Sequence, residues 1–490
     1  MNLPLDRLLE QPEGKTLEFK RDLSSPRNTI KTLVAFANSA GGRLIIGVDD
    51  ARRVVGVTNP LDEEERIGNL ITDGISPRLV PNIELMSRGE HTFLAVEVFP
   101  SSSRPHYVTR LGPENGVYVR LGSSNRQAGP DVVAELQRSA RGIVFDEQPM
   151  PELELEDLDL DAAQRLFGAQ RVLDERILIT LKMLRREQNR LVPTRGAVLL
   201  FGKAREQHFP DAWVQCGRFR GVGKVEIFDQ TEIHEHLPDA VVAIELFLKK
   251  HAFKSARFGG MQREDVWSIP LSILREAIIN ALVHSDYSQR GTPIRIAFFD
   301  DRIDIESPGM LLPGMTVEDM KSGVSRIRNP VIARVFRELK LIEQWGSGVK
   351  RMYAEAASQG LPEPDINEIA TGVRMRIYLS EPVSVVAESE FHSYGRSTFQ
   401  LRAQSKAQSK AQSEDILQLL VRQALSAGAL TKALGLKSKT GALKRILKEL
   451  LDLGLIAYTL PDKPSSRLQQ YRLTDSGRKA LAGHRVEDGR

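Results

Sequence analysis

Residues 402–414 read RAQSKAQSKAQSE, a repeated four-residue unit with no apolar side chain larger than alanine. Such a run buries too little surface to offset the entropy of ordering it, so it reads as an exposed linker. It places a cut at 386–413 that one core cannot span and leaves 414–490 to fold as a separate block. The remaining length is also too great for one core: 490 residues make roughly three domains the expectation. The expected divisions are 1–145, a connecting α/β region 146–260, and 261–385.

Periodicity fills in these blocks. In the first, LIIGVDD, TFLAVEVFPSS and GVYVRLGSS read as strands and NTIKTLVAFANSA as a helix. The acidic PELELEDLDLD leads into a helix expected over 161–184, and RGAVLLFGK and LPDAVVAIELFLKKHAF are helix-like. AWVQCGRFR, PIRIAFFD and RIDIES alternate as strands do; IPLSILREAIINALVHSDY and GSGVKRMYAEAASQG have helical spacing. Composition is that of an ordinary globular chain, with 27% charged and 41% hydrophobic residues. The single cysteine, Cys216, excludes a disulfide framework and a thiolate zinc finger. The N-terminus MNLPLDRLLEQPEG lacks a signal-peptide pattern and no long apolar run follows, which predicts a cytoplasmic protein with no membrane span. A net charge of +4 permits nucleic acid as a partner without requiring it.

Three stretches carry chemistry. In EGKTLEFK, Glu13 precedes a strand and Glu18 lies in it, with Lys20 on the same face by the period of two. The strand RLIIGVDD ends in Asp49 and Asp50. Acids at neighbouring strand ends can converge on Mg²⁺ or Mn²⁺, with Lys20 answering phosphate charge. Equally, they can form a charged strand face and a polar turn. EGKTLEFK, LVAFANSAGGRLIIGVDD, VVGV and SRPHYV…GVYVRLGSSNRQA together resemble the Schlafen AlbA-like domain over most of residues 10 to 130. The resemblance implies nucleic-acid binding, of RNA or DNA. In members with nuclease activity it implies two glutamates and an aspartate, here Glu13, Glu18 and Asp49, as catalytic and metal-holding acids beside Lys20. Arg104, His106, Arg120 and Arg126 are the candidate phosphate contacts.

In REAIINALVHSDY, Glu276, Asn280 and His284 recur every four residues and so share one helix face, opposite Ala277, Ile278, Ala281 and Leu282. Polar groups on a largely buried helix need partners, and a Mg²⁺·nucleotide would supply them. EAIINALVHSDY, DRIDIESPGMLLPG, SRIRNPVIARVF and IEQWGSGVKRM resemble the GHKL-type ATPase domain in its divergent form. That implies ATP as ligand, with Glu276 and Asn280 as the N box and Asn280 also a metal ligand. Gly309 then falls in the first glycine box, and Gly346 and Gly348 at a helix start suited to phosphate. The usual first box carries an aspartate for the adenine amino group; here Glu306 is the acid available. GVGK at 221–224 lacks the leading glycine and trailing Ser or Thr of a phosphate loop and reads as a strand connection. His234 and His236 read as scaffold.

The last block has helical segments, a turn at Gly435 and a hairpin, LIAYTL…QYRLT, the pattern of a winged helix-turn-helix. Lys439, Thr440, Lys444 and Arg445, with Arg467 on the wing, are its candidate contacts to duplex DNA. The fold class expected is α/β and α+β multidomain: a Schlafen AlbA-like domain, a GHKL-like α/β sandwich and a winged helix. The function expected is a homo-oligomeric, nucleotide-responsive regulator of the transcriptional type. The alternative is a metal-dependent nuclease, acting in phage defence.

Overall fold

The computed structural model describes residues 5–168, 171–252, 254–259, 262–342, 348–369 and 372–379, and in the C-terminal part 416–421, 423–433, 447, 450–451, 454–459, 470–474, 476 and 478. It divides into two units, Met1–Val385 and Val386–Arg490. It is mixed α/β throughout, with several sheets.

The first unit opens on a four-stranded sheet ordered Leu17–Lys20, Gly42–Ile46, His91–Val98, Asn82–Arg88, the first pair parallel and the others antiparallel. A parallel pair needs a crossover, and the helix Pro26–Asn38 supplies it. Pro26 suits its first turn, and Leu33, Val34, Phe36 and Ala37 bury its inner face. The helix leaves through Gly41 at φ +77, where a Cβ would meet the Val98 carbonyl at 2.7 Å, so the expected Gly-Gly turn is required by both conformation and space. Helix Pro60–Gly74 covers the same face through Ile67 and Ile71.

Arg120, on the strand Tyr118–Leu121, ties these pieces together. It is fully buried. Its Nε donates to the Gly14 carbonyl (3.0 Å), Nη1 to Asn125 Oδ1 (2.9 Å) and Nη2 to Glu18 Oε2 (2.6 Å). Its backbone N–H donates to Ser39 Oγ (2.8 Å), and its guanidinium lies 5.3 Å from the Phe36 ring centroid. One side chain thus joins the first strand, the crossover helix and the Tyr118–Leu121/Ser124–Gln127 hairpin.

Further along the same unit, a six-stranded sheet runs Ile227–Ile233, Val214–Phe219, Ile294–Phe298, Arg302–Pro308, Gly372–Tyr378, Asp365–Ile369. Helices Arg195–Phe201, Leu237–Lys250, Leu271–His284, Pro330–Glu338 and Gly348–Ser358 share one hydrophobic core with it. The expected boundary at residue 260 does not separate two cores, because Val214–Phe219 pairs in parallel with Ile294–Phe298. The helix expected over 161–184 is two helices, Leu160–Phe167 and Glu175–Thr180, followed by a strand from Leu184. Gly168, at φ +70, ends the first, and Asp174 caps the second through Ile177 N–H. GVGK connects Val214–Phe219 to Ile227–Ile233, as expected. His234 stacks on Trp213 and His236 packs on Phe201, scaffold positions both.

Asp146 joins the connecting region to this core. Its Oδ2 accepts the N–H groups of Val331 (2.7 Å) and Ile332 (3.1 Å), in the first turn of helix Pro330–Glu338. Burial is the main cause that pushes its carboxyl up, to about 7; those two N–H groups oppose the shift, Glu147 adds to it and Arg334 reduces it.

In the second unit, the helix at 416–421, Ala427–Ala433 and the pair Ile456–Tyr458/Tyr471–Leu473 enclose a small core of Ile416, Leu420, Leu430, Leu450 and Leu473.

Arg120→Ala should cost about 3–5 kcal/mol, because it strands the Glu18 carboxylate and frees the Gly14 carbonyl and Asn125 Oδ1 as well. Glu18→Gln should also lower the melting temperature, since Arg120 keeps its charge and loses its counter-charge. Unchanged melting curves for both variants would refute this role. Asp146 gives a pH signature. A carboxyl whose folded pKa lies above its unfolded value adds stability below about 3.8 that is lost as pH rises through about 7. Asp146→Asn keeps the acceptor and abolishes the titration. Its urea midpoint should therefore gain on wild type between about pH 5 and pH 8; a gap that stays constant with pH refutes the assignment.

Candidate functional site

The helix Leu271–His284 packs one side into the core through Ile273, Leu274, Ala277 and Ile278, which turns Glu276, Asn280 and His284 toward a cavity of about 440 Å³. The three lie together as their spacing predicts. Asn280 Nδ2 donates to Glu276 Oε1 (3.0 Å) and to the Glu276 carbonyl (2.9 Å). Glu276 Oε2 takes Arg351 at 3.0 Å. Burial, then the nearby Arg328 charge, lowers the His284 pKa to about 4, so the imidazole is neutral at neutral pH.

Two predicted glycines line the same cavity, and both are needed there. Gly309 has φ +101, and a Cβ on it would meet Asp286 Cβ at 2.8 Å. A Cβ on Gly348, at the start of helix Gly348–Ser358, would run into the Glu276 carboxylate. Gly346 lies outside the described residues.

Glu306 requires a correction. Ile305 and Ser307 line the cavity, and in a strand the residue between them faces the other way. Glu306 Oε1 accordingly meets Lys224 Nζ (3.0 Å) and Arg374 Nε (2.9 Å) on the opposite face. Among the described lining residues Glu276 is the one carboxylate, and Arg326, Arg328, Arg337 and Arg351 are the arginines. Arg328 is committed to Glu135 and the Met310 carbonyl. Arg326 and Arg337 are exposed and have no carboxylate partner among the described residues; Arg326 donates to the Pro313 carbonyl at 2.9 Å. These arginines were not selected from the sequence. The available signal was spacing: Ala333 and Arg337 are four apart on a helix with a strong apolar face, which aligns Arg337 with the buried side's edge.

The N-terminal acids each have a partner within the chain. Glu13 Oε1 accepts the Phe19 N–H at 2.8 Å. Glu18 is shared between Arg120 and Lys20 Nζ (3.1 Å), so Lys20 does lie on its face. Asp49 accepts the N–H groups of Ala51 (3.0 Å) and Arg53 (2.9 Å) and pairs with the Arg53 guanidinium (2.8 Å). The backbone N–H of Arg53, then its side chain, holds the Asp49 carboxyl below the usual range. Among the described residues no three His, Cys, Asp or Glu side chains are grouped so as to hold a metal ion. Arg120 and His106 are corrected as phosphate contacts, since both are wholly buried. The His106 ring is bonded to the Pro77 carbonyl (2.8 Å) and Ser101 Oγ (2.7 Å), and burial lowers its pKa. Arg104 is half-buried, donates to Ser139 Oγ (3.3 Å) and is likewise shifted down by burial. Arg126 is exposed on its hairpin. Lys439, Thr440, Lys444, Arg445 and Arg467 lie outside the described residues.

No helix among the described residues is long and apolar enough to cross a membrane. Residues 13–129 match the family described as "Schlafen, AlbA_2", and 291–377 match "Putative ATP-dependent DNA helicase recG C-terminal". The second match begins after the helix that bears Glu276 and Asn280. Residues 411–474 match "Filamentation induced by cAMP protein Fic-like, C-terminal domain". No curated protein matches the chain. Among solved structures it is similar to the DIP2311 protein from Corynebacterium diphtheriae, at 20% identity, over 98% of this chain and 97% of that one, with a TM-score of 0.42. It is also similar to the N-terminal domain of a "Putative ATP-dependent DNA Helicase RecG-related Protein" from Nitrosomonas europaea, at 29% identity, over 25% of this chain and 90% of that one, with a TM-score of 0.21. The chain thus joins a domain of the Schlafen AlbA_2 family, at residues 13–129, to one of the RecG-type C-terminal HATPase_c_4 family, at residues 291–377, in a nucleic-acid-binding, ATP-related protein.

Proposed function

We propose that the cavity beside the Leu271–His284 helix binds Mg²⁺·ATP and that nucleotide state biases how the chain engages nucleic acid. The observation that carries this reading is the joint lining: Glu276 and Asn280 on one face, Gly309 and Gly348 where a side chain would intrude, and two arginines without a carboxylate partner among the described residues. The donor set fits a hard cation. Mg²⁺ takes one or two protein oxygens and completes its shell with water and phosphate, and Asn280 and Glu276 supply such oxygens. The cation would neutralise phosphate charge. Arg326 and Arg337 would take phosphate oxygens directly, as guanidinium does well. The apolar wall formed by Ile279, Ile305, Met315 and Met375 would hold the base. A neutral His284 can accept or donate one hydrogen bond there without adding charge.

Nucleic acid would be held by the exposed basic residues of the N-terminal domain, Arg126 among them. Cleavage through Glu13, Glu18 and Asp49 lacks comparable support, because the wholly buried Arg120 holds Glu18 and, among the described residues, no three acids group so as to hold a metal ion. The winged-helix reading of 414–490 remains part of the proposal as a second, duplex-DNA contact.

Asn280→Ala should weaken Mg²⁺·ATP binding at least about tenfold, about 1.4 kcal/mol, and leave metal-free ATP within about threefold. Calorimetry with and without EDTA separates the two. Equal losses in both conditions would remove the metal role. Arg337→Ala should cost ATP about five- to tenfold while AMP changes little, since a charge-assisted contact to the phosphate tail is lost. If AMP suffers as much as ATP, Arg337 does not read the tail. Arg126→Ala should leave the melting temperature unchanged and flatten the slope of log K against log salt by about 0.7–0.9. An unchanged slope takes Arg126 out of the interface.

A further inference from the structure

The segment 309–316 belongs to two sites at once. Gly309, Met310, Leu311, Leu312 and Met315 line the nucleotide cavity. The same segment is fastened to the N-terminal domain and the helix that follows it at three points. The Met310 carbonyl accepts from Arg328, which pairs with Glu135 on helix Pro130–Ala140. The Leu311 N–H donates to Glu368 Oε1 at 2.8 Å, and Glu368 Oε2 pairs with Lys15 Nζ at 2.6 Å. The Gly314 N–H donates to the Ser39 carbonyl at 3.0 Å. Two of these lines end on the Arg120 hub. Ser39 Oγ accepts the Arg120 N–H, and Gly14, next to Lys15, gives its carbonyl to Arg120 Nε.

From this arrangement we infer that Glu368 is a positioning residue through which occupancy of the nucleotide cavity is transmitted to the first strand of the N-terminal domain. The inference rests on the nucleotide reading of the cavity and adds its route of regulation. The Lys15–Glu368 pair is suited to the task. The Lys15 side chain is 13% exposed and that of Glu368 is 6% exposed, so water screens them little. The two residues lie 353 apart in sequence, so the pair joins elements with no local reason to move together. One carboxylate answers both the loop amide and the lysine. A ligand that fixes Leu311 therefore fixes the acceptor on which Lys15 depends. A ligand transmits only what it binds differently in two arrangements, and a loop that is both wall and tether provides that difference.

Amide hydrogen exchange of the full chain with and without Mg²⁺·ATP tests this. In wild type, saturating Mg²⁺·ATP should slow exchange at least about threefold in peptides from 309–316 and also in those from 13–20. Glu368→Gln keeps an acceptor for Leu311 and loses the charge facing Lys15; Lys15→Met removes the other end. In both variants protection of 309–316 should persist, while protection of 13–20 should fall at least about twofold. Protection confined to 309–316 in wild type overturns the inference and leaves the nucleotide reading intact. So does protection of 13–20 that survives both substitutions. Absence of any ATP-dependent protection, with no calorimetric binding, overturns both together.

Discussion

A guanidinium shut away from water must be answered on each of its edges, and the N-terminal domain is arranged around that demand. Arg120 draws on a backbone carbonyl from the approach to the first strand, a carboxylate from the strand itself, an amide oxygen from its own hairpin and the face of a helix phenylalanine. Removing the first strand takes away Glu18 and leaves a buried charge without its counter-charge, which costs more than the pair contributes when intact. The hub therefore acts less as a source of net stability than as a selector of one arrangement. Alternative packings of the same strands would have to leave Arg120 uncompensated.

The same economy explains which parts of the molecule were readable from the chain. Period-two and helical patterns located three of the four strands of the first sheet, Leu17–Lys20, Gly42–Ile46 and His91–Val98, and the helices Pro26–Asn38 and Leu271–His284, because those depend on neighbours in sequence. The four-residue spacing of Glu276, Asn280 and His284 was sufficient to bring them into one cavity. Where the partner is remote, pattern fails. Arg120 and Glu18 are 102 residues apart, and nothing local tells a buried arginine on a strand from an exposed one. His106 misled in the same way. Glu306 misled for a different reason: it is in the right strand and the right position, but on the face opposite Ile305 and Ser307. The domain boundary at 260 failed because the long connection over residues 220–293 returns Ile294–Phe298 to pair with Val214–Phe219. No composition change marks that return.

The cavity's charge balance follows from these placements. On the Arg302–Pro308 strand, Asp304 and Glu306 face away from the cavity and are neutralised by Arg376 and Arg374 of the neighbouring strand. Their absence from the cavity wall leaves Glu276 to meet four arginines there. Two of those are bound to acids, Arg351 by Glu276 and Arg328 by Glu135. Among the described lining residues what remains is an apolar pocket with surplus positive charge, which suits a phosphorylated ligand with a flat, apolar base.

Electrostatics bears in the opposite direction on the acids at the other end of the unit. Carboxylates gathered without a cation raise one another's pKa, and that conflict is a reason to look for a metal. In this domain the cations are already in the chain. Arg120 and Lys20 meet Glu18, Arg53 meets Asp49, and a backbone amide meets Glu13. A divalent ion drawn to Glu18 would have to release a wholly buried guanidinium from its only carboxylate among the described residues. It would meet the desolvation cost of that charge as well as its own. In this arrangement the acids serve as structural anchors: Asp49 shapes the turn that carries Arg53, and Glu18 holds the hub that two of the cavity loop's three tethers reach. The electrostatic reason for a metal at this end is met from within the fold.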